Sequence, residues 1–280
     1  MSKVKIVTDS TMDMPMEMIE ELGITVVPLA ITINGETYLD RVNLEPVEFI
    51  EMMGSSKELP KSSQPSAGAF LEVYDQLGQE GYEVLSIHMT GKMSGTVRSA
   101  ESAAQMTQAK VTVIDSKFIS KALAFQVKEA AEMANQGKSL EEILDRLDIV
   151  RNNTKLYIMV DTLENMVKGG RIGKGKALIG SLLNIKPIAS LEGAEYNPVA
   201  KVRSHSQVVK FMAKQFAEDV KDKTIRGVGI AHAEAQELSQ KIKDSIYELT
   251  GFQNVEIDYT GPTVSTHTGP GALALMYYFE

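Results

Sequence analysis

The sequence predicts a two-part α/β protein, with a mostly parallel, helix-flanked sheet in its N-terminal half and an α+β unit in its C-terminal half. Three observations carry this. Short apolar runs alternate with helical stretches up to about residue 150, the pattern of strands joined by crossover helices. A capping-box helix then ends at Asn152-Asn153. Beyond it the texture changes to a paired antiparallel segment and two long amphipathic helices. The division is therefore expected at residues 1–153 and 154–280, with the 262–280 tail packing back on the N-terminal part and a ligand site between the two.

Residues 4–8 read as a buried strand, and Asp13 with Pro15 as the cap and early proline of a helix over 16–22 closed by Gly23. Residues 24–33 read as one strand, returning through 37–39 at Asn34-Gly35, the strongest hairpin signal in the chain. Further strands are expected at 83–89 and 110–114, with a helix over 94–106 between them and another over 125–135 stopped at Gly137. Ser139 and Glu142 then form the capping box of a helix carrying Ile143, Leu144, Leu147 and Val150 on one face. In the second half, 155–160 is a strand, and 185–191 with 195–202 pair around Glu192-Gly193. Val208, Met212 and Phe216 stripe one helix, and Leu238, Ile242 and Ile246 another, with strands at 228–231 and 255–259. The apolar tail from Gly269 to Phe279 is expected to be docked.

Composition narrows the function. A net charge of -8 argues against a general nucleic-acid binder, whose affinity comes from Lys and Arg on phosphates. The absence of cysteine excludes disulfides, thiolate metal sites and cysteine nucleophiles, and fits a reducing, cytoplasmic setting. No apolar run approaches the ~20 residues that span a bilayer. Fifteen methionines supply deformable apolar walls, suited either to loose core packing or to a long apolar ligand.

Four polar clusters sit where strands are expected to give way to helices: Thr8-Asp9-Ser10, Ser62-Ser63-Gln64-Pro65-Ser66, Ser94-Gly95-Thr96 and His267-Thr268-Gly269-Pro270-Gly271. Such junctions offer hydroxyls and freed amides to an anion, although each alone also serves as an ordinary helix cap. Asp9 is expected to orient a loop by accepting amides. Residues 168–177 carry two lysines, Lys174 and Lys176, after Gly170-Arg171, but Ala177 stands where a phosphate loop needs Ser or Thr, and 163–167 reads as helix. What remains is a basic glycine-rich loop for phosphate, an anionic membrane surface or an acidic partner. Ser94 and His267 invite a serine-hydrolase reading, but Gly91-Lys92-Met93-Ser94-Gly95 misses the nucleophile elbow. His88 and His232 read as satisfied structural histidines, and His205 as solvent-facing.

Taken in order, Val7-Thr8-Asp9-Ser10, Ser63-Gln64-Pro65-Ser66, Ser94-Gly95-Thr96, Val113-Ile114-Asp115-Ser116, Lys168-Gly169-Gly170-Arg171-Ile172, Leu183-Asn184-Ile185-Lys186-Pro187-Ile188 and His267-Thr268-Gly269-Pro270-Gly271 resemble the DegV family over essentially the whole chain. That resemblance implies a non-catalytic carrier, without cofactor or metal, that encloses one long-chain fatty acid and presents its carboxylate to a separate ATP-dependent fatty acid kinase. It places the carboxylate among Ser62, Ser94, Thr96, His267, Thr268 and Arg171, and a kinase or phosphate surface at Lys201 and Arg203, to which the loop lysines Lys174 and Lys176 are added. Two departures stand out. Ser62 replaces the family's usual threonine, and Ala122 and Ala124 replace two glycines, which would narrow the tail site if that helix start lines it. The competing readings are a stand-alone hydrolase or phosphotransfer enzyme, and a binding module for another small anion.

Overall fold

The computed structural model describes residues 3–174 and 185–280. Its first half begins with β1 (Val4–Asp9), α1 (Met16–Leu22), β2 (Thr25–Val27), β3 (Ala30–Ile33) and β4 (Glu36–Leu39), followed by α2 (Pro46–Ser55), β5 (Lys61–Ser63) and α3 (Ala67–Gln79). Then come β6 (Glu83–His88), α4 (Thr96–Met106), β7 (Val111–Asp115), α5 (Ser120–Asn135) and α6 (Leu140–Asn152). The second half holds β8 (Thr154–Met159), α7 (Glu164–Gly169), β9 (Lys186–Glu192), β10 (Glu195–Val202), α8 (His205–Asp219) and β11 (Ile225–His232). It closes with α9 (Gln236–Thr250), β12 (Glu256–Tyr259), α10 (Pro262–Thr268) and β13 (Leu273–Phe279).

These elements make a parallel four-stranded sheet in the order β2-β1-β6-β7 and a six-stranded sheet in the order β10-β9-β8-β13-β11-β12. In the larger sheet the β11–β12 pair is parallel and the other pairs are antiparallel. A small antiparallel sheet, β4-β3-β5, stands apart. Both hairpin turns have the geometry their residues favour: Asn34 and Gly35 take φ 52° and 87°, and Gly193 and Ala194 take φ 57° and 65°, the left-handed pair that suits strand twist. The capping box at Ser139 forms in full.

Several expectations are corrected. The run 24–33 is two strands in two different sheets, because Pro28 offers no amide to continue the first ladder. Asp13 caps no helix; Pro15 holds that position, and the Asp13 carboxylate is spent elsewhere. The helix expected from Phe125 begins at Ser120, its first residue, which takes φ 58°. The His267 cluster lies at the C-terminal end of α10, not at a helix start. The expected docking of the apolar tail, by contrast, is met: it forms a central strand, β13, hydrogen-bonded to β8 on one side and β11 on the other.

Helix α5 holds the halves together. It packs on β1 and β6 of the first sheet and on β8, β11 and β13 of the second, so one apolar core runs from Leu85 and Ile87 through Leu123 and Val127 to Ile158 and Met276. Its buried Lys121 pairs with Glu256 at 2.9 Å and with Asp258, both on β12. A second polar joint centres on Asp13, which is 1% exposed. Arg41 Nη2 and the Gly261 amide donate to its Oδ1 at 2.7 and 2.9 Å, and the hydroxyls of Ser120 and Thr260 donate to its Oδ2.

Candidate functional site

Where the small sheet, α5 and α10 meet the edge of the large sheet, they enclose a chamber of about 290 Å³. Its polar end is built from three separate stretches of chain. Strand β5 presents Ser62, which pairs with Ile31 in the ladder and so turns its hydroxyl away from the solvent face of the strand. The loop before α4 presents Ser94, and the last turn of α10 presents His267 and Thr268. Met89, Met93 and Met166 line the same chamber, giving some of the fifteen methionines a common apolar wall.

Ser62 Oγ lies 2.7 Å from His267 Nε2. The other ring nitrogen, Nδ1, is buried, has no partner among the described residues and sits against Gly169, where an added Cβ would stand 2.4 Å away. Burial, reinforced by the Arg171 charge, pushes the imidazole down to about 4, so the ring is neutral near pH 7. An orphaned buried N–H is rarer than an orphaned acceptor, which favours the tautomer with its proton on Nε2. In that tautomer His267 donates to Ser62 Oγ, and the Ser62 hydroxyl proton is directed elsewhere.

Ser94 Oγ lies 2.8 Å from Thr96 Oγ1 and accepts from the Thr96 amide at 3.3 Å. Thr96 itself is fully buried behind Ser94 and does not line the chamber. Thr268 lines it but donates its hydroxyl to Val264 O at 3.2 Å. Arg171 reaches the chamber with its guanidinium tied to Gly169 O at 2.7 Å and Met93 O at 3.3 Å, leaving a cation beside the neutral histidine. Gly95 is required by close approach: a Cβ there would lie 2.2 Å from Gln64 Oε1, and the Gln64 amide donates to Ser99 Oγ at 2.9 Å.

The structure thus brings Ser62, Ser94, His267, Thr268 and Arg171 to one chamber. Ala122 and Ala124 are not part of its lining: α5 turns Ala122 into the packed core and Ala124 toward a different cleft shared with Phe125 and Tyr278, while Ile119 meets the chamber. Lys201 and Arg203 are exposed, and their side chains have no partner among the described residues. Lys174 is exposed and bonds Asn197 at 3.0 Å, and Lys176 lies outside the described residues. Thr11, Thr263 and Tyr196 also line the chamber and went unsignalled in the sequence, apart from Thr11 being next to the Thr8-Asp9-Ser10 motif.

Among the described residues Ser94 and His267 do not form a serine-hydrolase arrangement: His267 is bonded to Ser62, not Ser94, and no described carboxylate meets its Nδ1. A Ser-His-Asp chain does exist elsewhere: Ser86 Oγ lies 2.7 Å from His88 Nε2, and His88 Nδ1 lies 3.1 Å from Asp9 Oδ2. All three are fully buried, and Tyr74 donates to Ser86 at 2.7 Å, so this is a scaffold. As expected of it, Asp9 accepts amides, from Thr11 at 3.1 Å and Met89 at 2.9 Å, and both of those residues line the chamber. Among the described residues no cluster of three or more His, Asp and Glu is placed to hold a metal ion, and no helix is long and apolar enough to cross a membrane.

The DegV family model, whose description reads "Uncharacterised protein, DegV family", matches residues 3–280. The chain belongs to the DegV family. A DegV domain-containing protein of Listeria monocytogenes is 42% identical over 281 residues, covering 100% of both chains. Two solved DegV structures overlay closely. One, presented as showing fatty acid binding of a DegV family protein from Thermus thermophilus, has a TM-score of 0.93 at 31% identity and covers 99% of this chain and 100% of its own. The other, DegV of Bacillus subtilis, described as a fatty acid binding protein, has a TM-score of 0.91 at 32% identity and covers 100% of both. This α/β architecture, with its parallel sheet and further mixed sheet, is therefore the DegV fold.

One DegV side chain outside the hydroxyl set bears on pH. Asp40 is 1% exposed and accepts from Ser10 Oγ at 3.0 Å, and burial pushes its carboxyl up to about 6 despite the nearby Arg41. A carboxyl held neutral by the fold adds stability fully below its ordinary value of 3.8, and that contribution is lost as pH rises through about 6. Asp40→Asn keeps an acceptor for Ser10 and removes the buried charge. It is expected to raise unfolding stability at pH 8 by about 1–3 kcal/mol and to leave it little changed at pH 4. Urea unfolding at the two pH values checks this, and a loss at pH 8 would contradict it.

Proposed function

We propose that this DegV protein binds one long-chain fatty acid, with the carboxylate at the Ser62–Ser94–His267 end of the chamber and the acyl chain in the apolar space between the sheets. The observation that carries the reading is the Ser62–His267 pair: a neutral histidine donating to a serine leaves the serine hydroxyl free to donate to an anion. A carboxylate entering so apolar a chamber needs several donors or it takes up a proton instead. Ser62, Ser94 and the Arg171 cation supply them. Each buried methylene adds about 0.8 kcal/mol, so an acyl chain of ~16 carbons contributes on the order of 10 kcal/mol before ordering costs. Both DegV structures compared above are described by the same ligand class.

In this reading the protein has no catalytic residue of its own, and the described chamber calls for no cofactor. The carboxylate, held beside Arg171, is offered to a separate ATP-dependent kinase that converts it to an acyl phosphate. The exposed Lys201 and Arg203, with Lys174, form the surface that meets the kinase or passes over an anionic membrane. The deciding experiment is denaturing mass spectrometry of protein purified without added lipid. The expected result is one C14–C18 fatty acid per chain and no turnover of a generic ester or of ATP-magnesium by the protein alone. An acyl-free anion in its place would refute the reading.

A further inference from the structure

Two narrow apolar spaces adjoin the chamber and share lining residues with it. One, of about 20 Å³, runs under Leu156, Ala231, Ala272 and Ala274. The other, of about 30 Å³, lies under Val160, Leu163, Ile172 and Ala189. Their shared floor is one row of the large sheet. Ala189, Ile158, Ala274 and Ala231 face one another directly across β9, β8, β13 and β11, so three of the four residues in the row are alanines. At about 4.8 Å per strand this row forms a low path of about 14 Å across the sheet.

Among the described residues, Tyr196 is the one side chain that borders the chamber and both extensions. It sits on β10 opposite Leu191, is 5% exposed, and its hydroxyl has no hydrogen-bond partner among the described residues. A tyrosine so deeply buried normally finds a partner for its O–H. Here the ring stands at the fork, with alanines on the path beyond it.

We infer that the Tyr196 ring is the gate that sets how far, and into which extension, an acyl tail runs. The inference rests on the fatty-acid reading above. The ring fills space that would otherwise join the three cavities, so its bulk, not its hydroxyl, limits the tail. Each further methylene admitted changes relative affinity by about fourfold.

The test is competition. Wild type, Tyr196→Ala and Tyr196→Phe are incubated with an equimolar excess of myristic, palmitic, stearic and arachidic acids, repurified, and their bound acids quantified by mass spectrometry. Tyr196→Ala is expected to raise the stearic-to-myristic ratio about tenfold over wild type, and Tyr196→Phe to stay within about twofold. Should the alanine variant lose its cooperative thermal transition, Tyr196→Leu replaces it, with a smaller shift in the same direction expected. A folded alanine or leucine variant with the wild-type ratio overturns the gate, and so does a phenylalanine variant that shifts as far as alanine. Wild type that takes up none of the acids overturns the ligand reading itself, a result distinct from either.

Discussion

Asp13→Ala is expected to destabilise the protein by about 3–5 kcal/mol, the range found when one member of a buried ion pair is removed. The loss does not end with the Arg41 pair. Ser120, Thr260 and the Gly261 amide would each keep a buried donor with nothing to receive it. Because these partners come from α5, from the end of β12 and from the start of α10, the damage falls on the joint between the two large sheets. Urea unfolding monitored by circular dichroism measures it, and a loss below about 1 kcal/mol would show that the joint is dispensable. Asp13→Asn should recover part of the loss, since one amide oxygen can still accept from two of the four donors.

The second large effect is expected where the proposed reading places the fatty-acid head group. His267→Ala removes the donor that orients Ser62, and hydrogen bonds to charged groups contribute about 1.5–3 kcal/mol, so fatty-acid retention should fall roughly 10- to 100-fold. Gly169→Ala is the sharper probe, because it deletes no polar group. Gly169 does not have a positive φ, so the backbone tolerates alanine, yet the new Cβ would overlap His267 Nδ1 and displace the ring from Ser62. Retention should fall at least about tenfold with little change in unfolding midpoint. Lys174→Ala, at an exposed ion pair, should stay within about twofold. Equal losses in all three would mean that stability, not head-group binding, was measured. The histidine also sets a pH window. Its pKa is depressed from 6.5 to about 4, so its contribution to stability is present above 6.5 and is lost as pH falls through about 4, opposite in sign to that of Asp40.

Much of this was legible in the sequence because local physics dictates it. The Asn34-Gly35 turn, the Ser139–Glu142 capping box and the stripes of the long helices form as their residues require. Asp13 is where local reasoning failed. As a helix cap it needs only neighbours in sequence, but its partners lie 28, 107 and 247 residues away. The site divides the same way. Ser62, Ser94 and His267 were visible as residue types in motifs, whereas their hydrogen bonding, with Ser62 and not Ser94 on the histidine, depends on how β5 and α10 pack. Tyr196 carried no signal at all, since a tyrosine in an alternating strand is ordinary until the cavities around it are known.

The position of β13 governs when the large sheet can be completed. Strands β8 and β11 do not pair with each other; each is paired to β13, whose residues are translated after both. During synthesis the parallel sheet can consolidate as soon as Asp115 has emerged, but the alanine floor is incomplete until Ala274 arrives. The floor beneath the chamber's extensions therefore exists only once β13 has been made and has slotted between two strands that were synthesised before it.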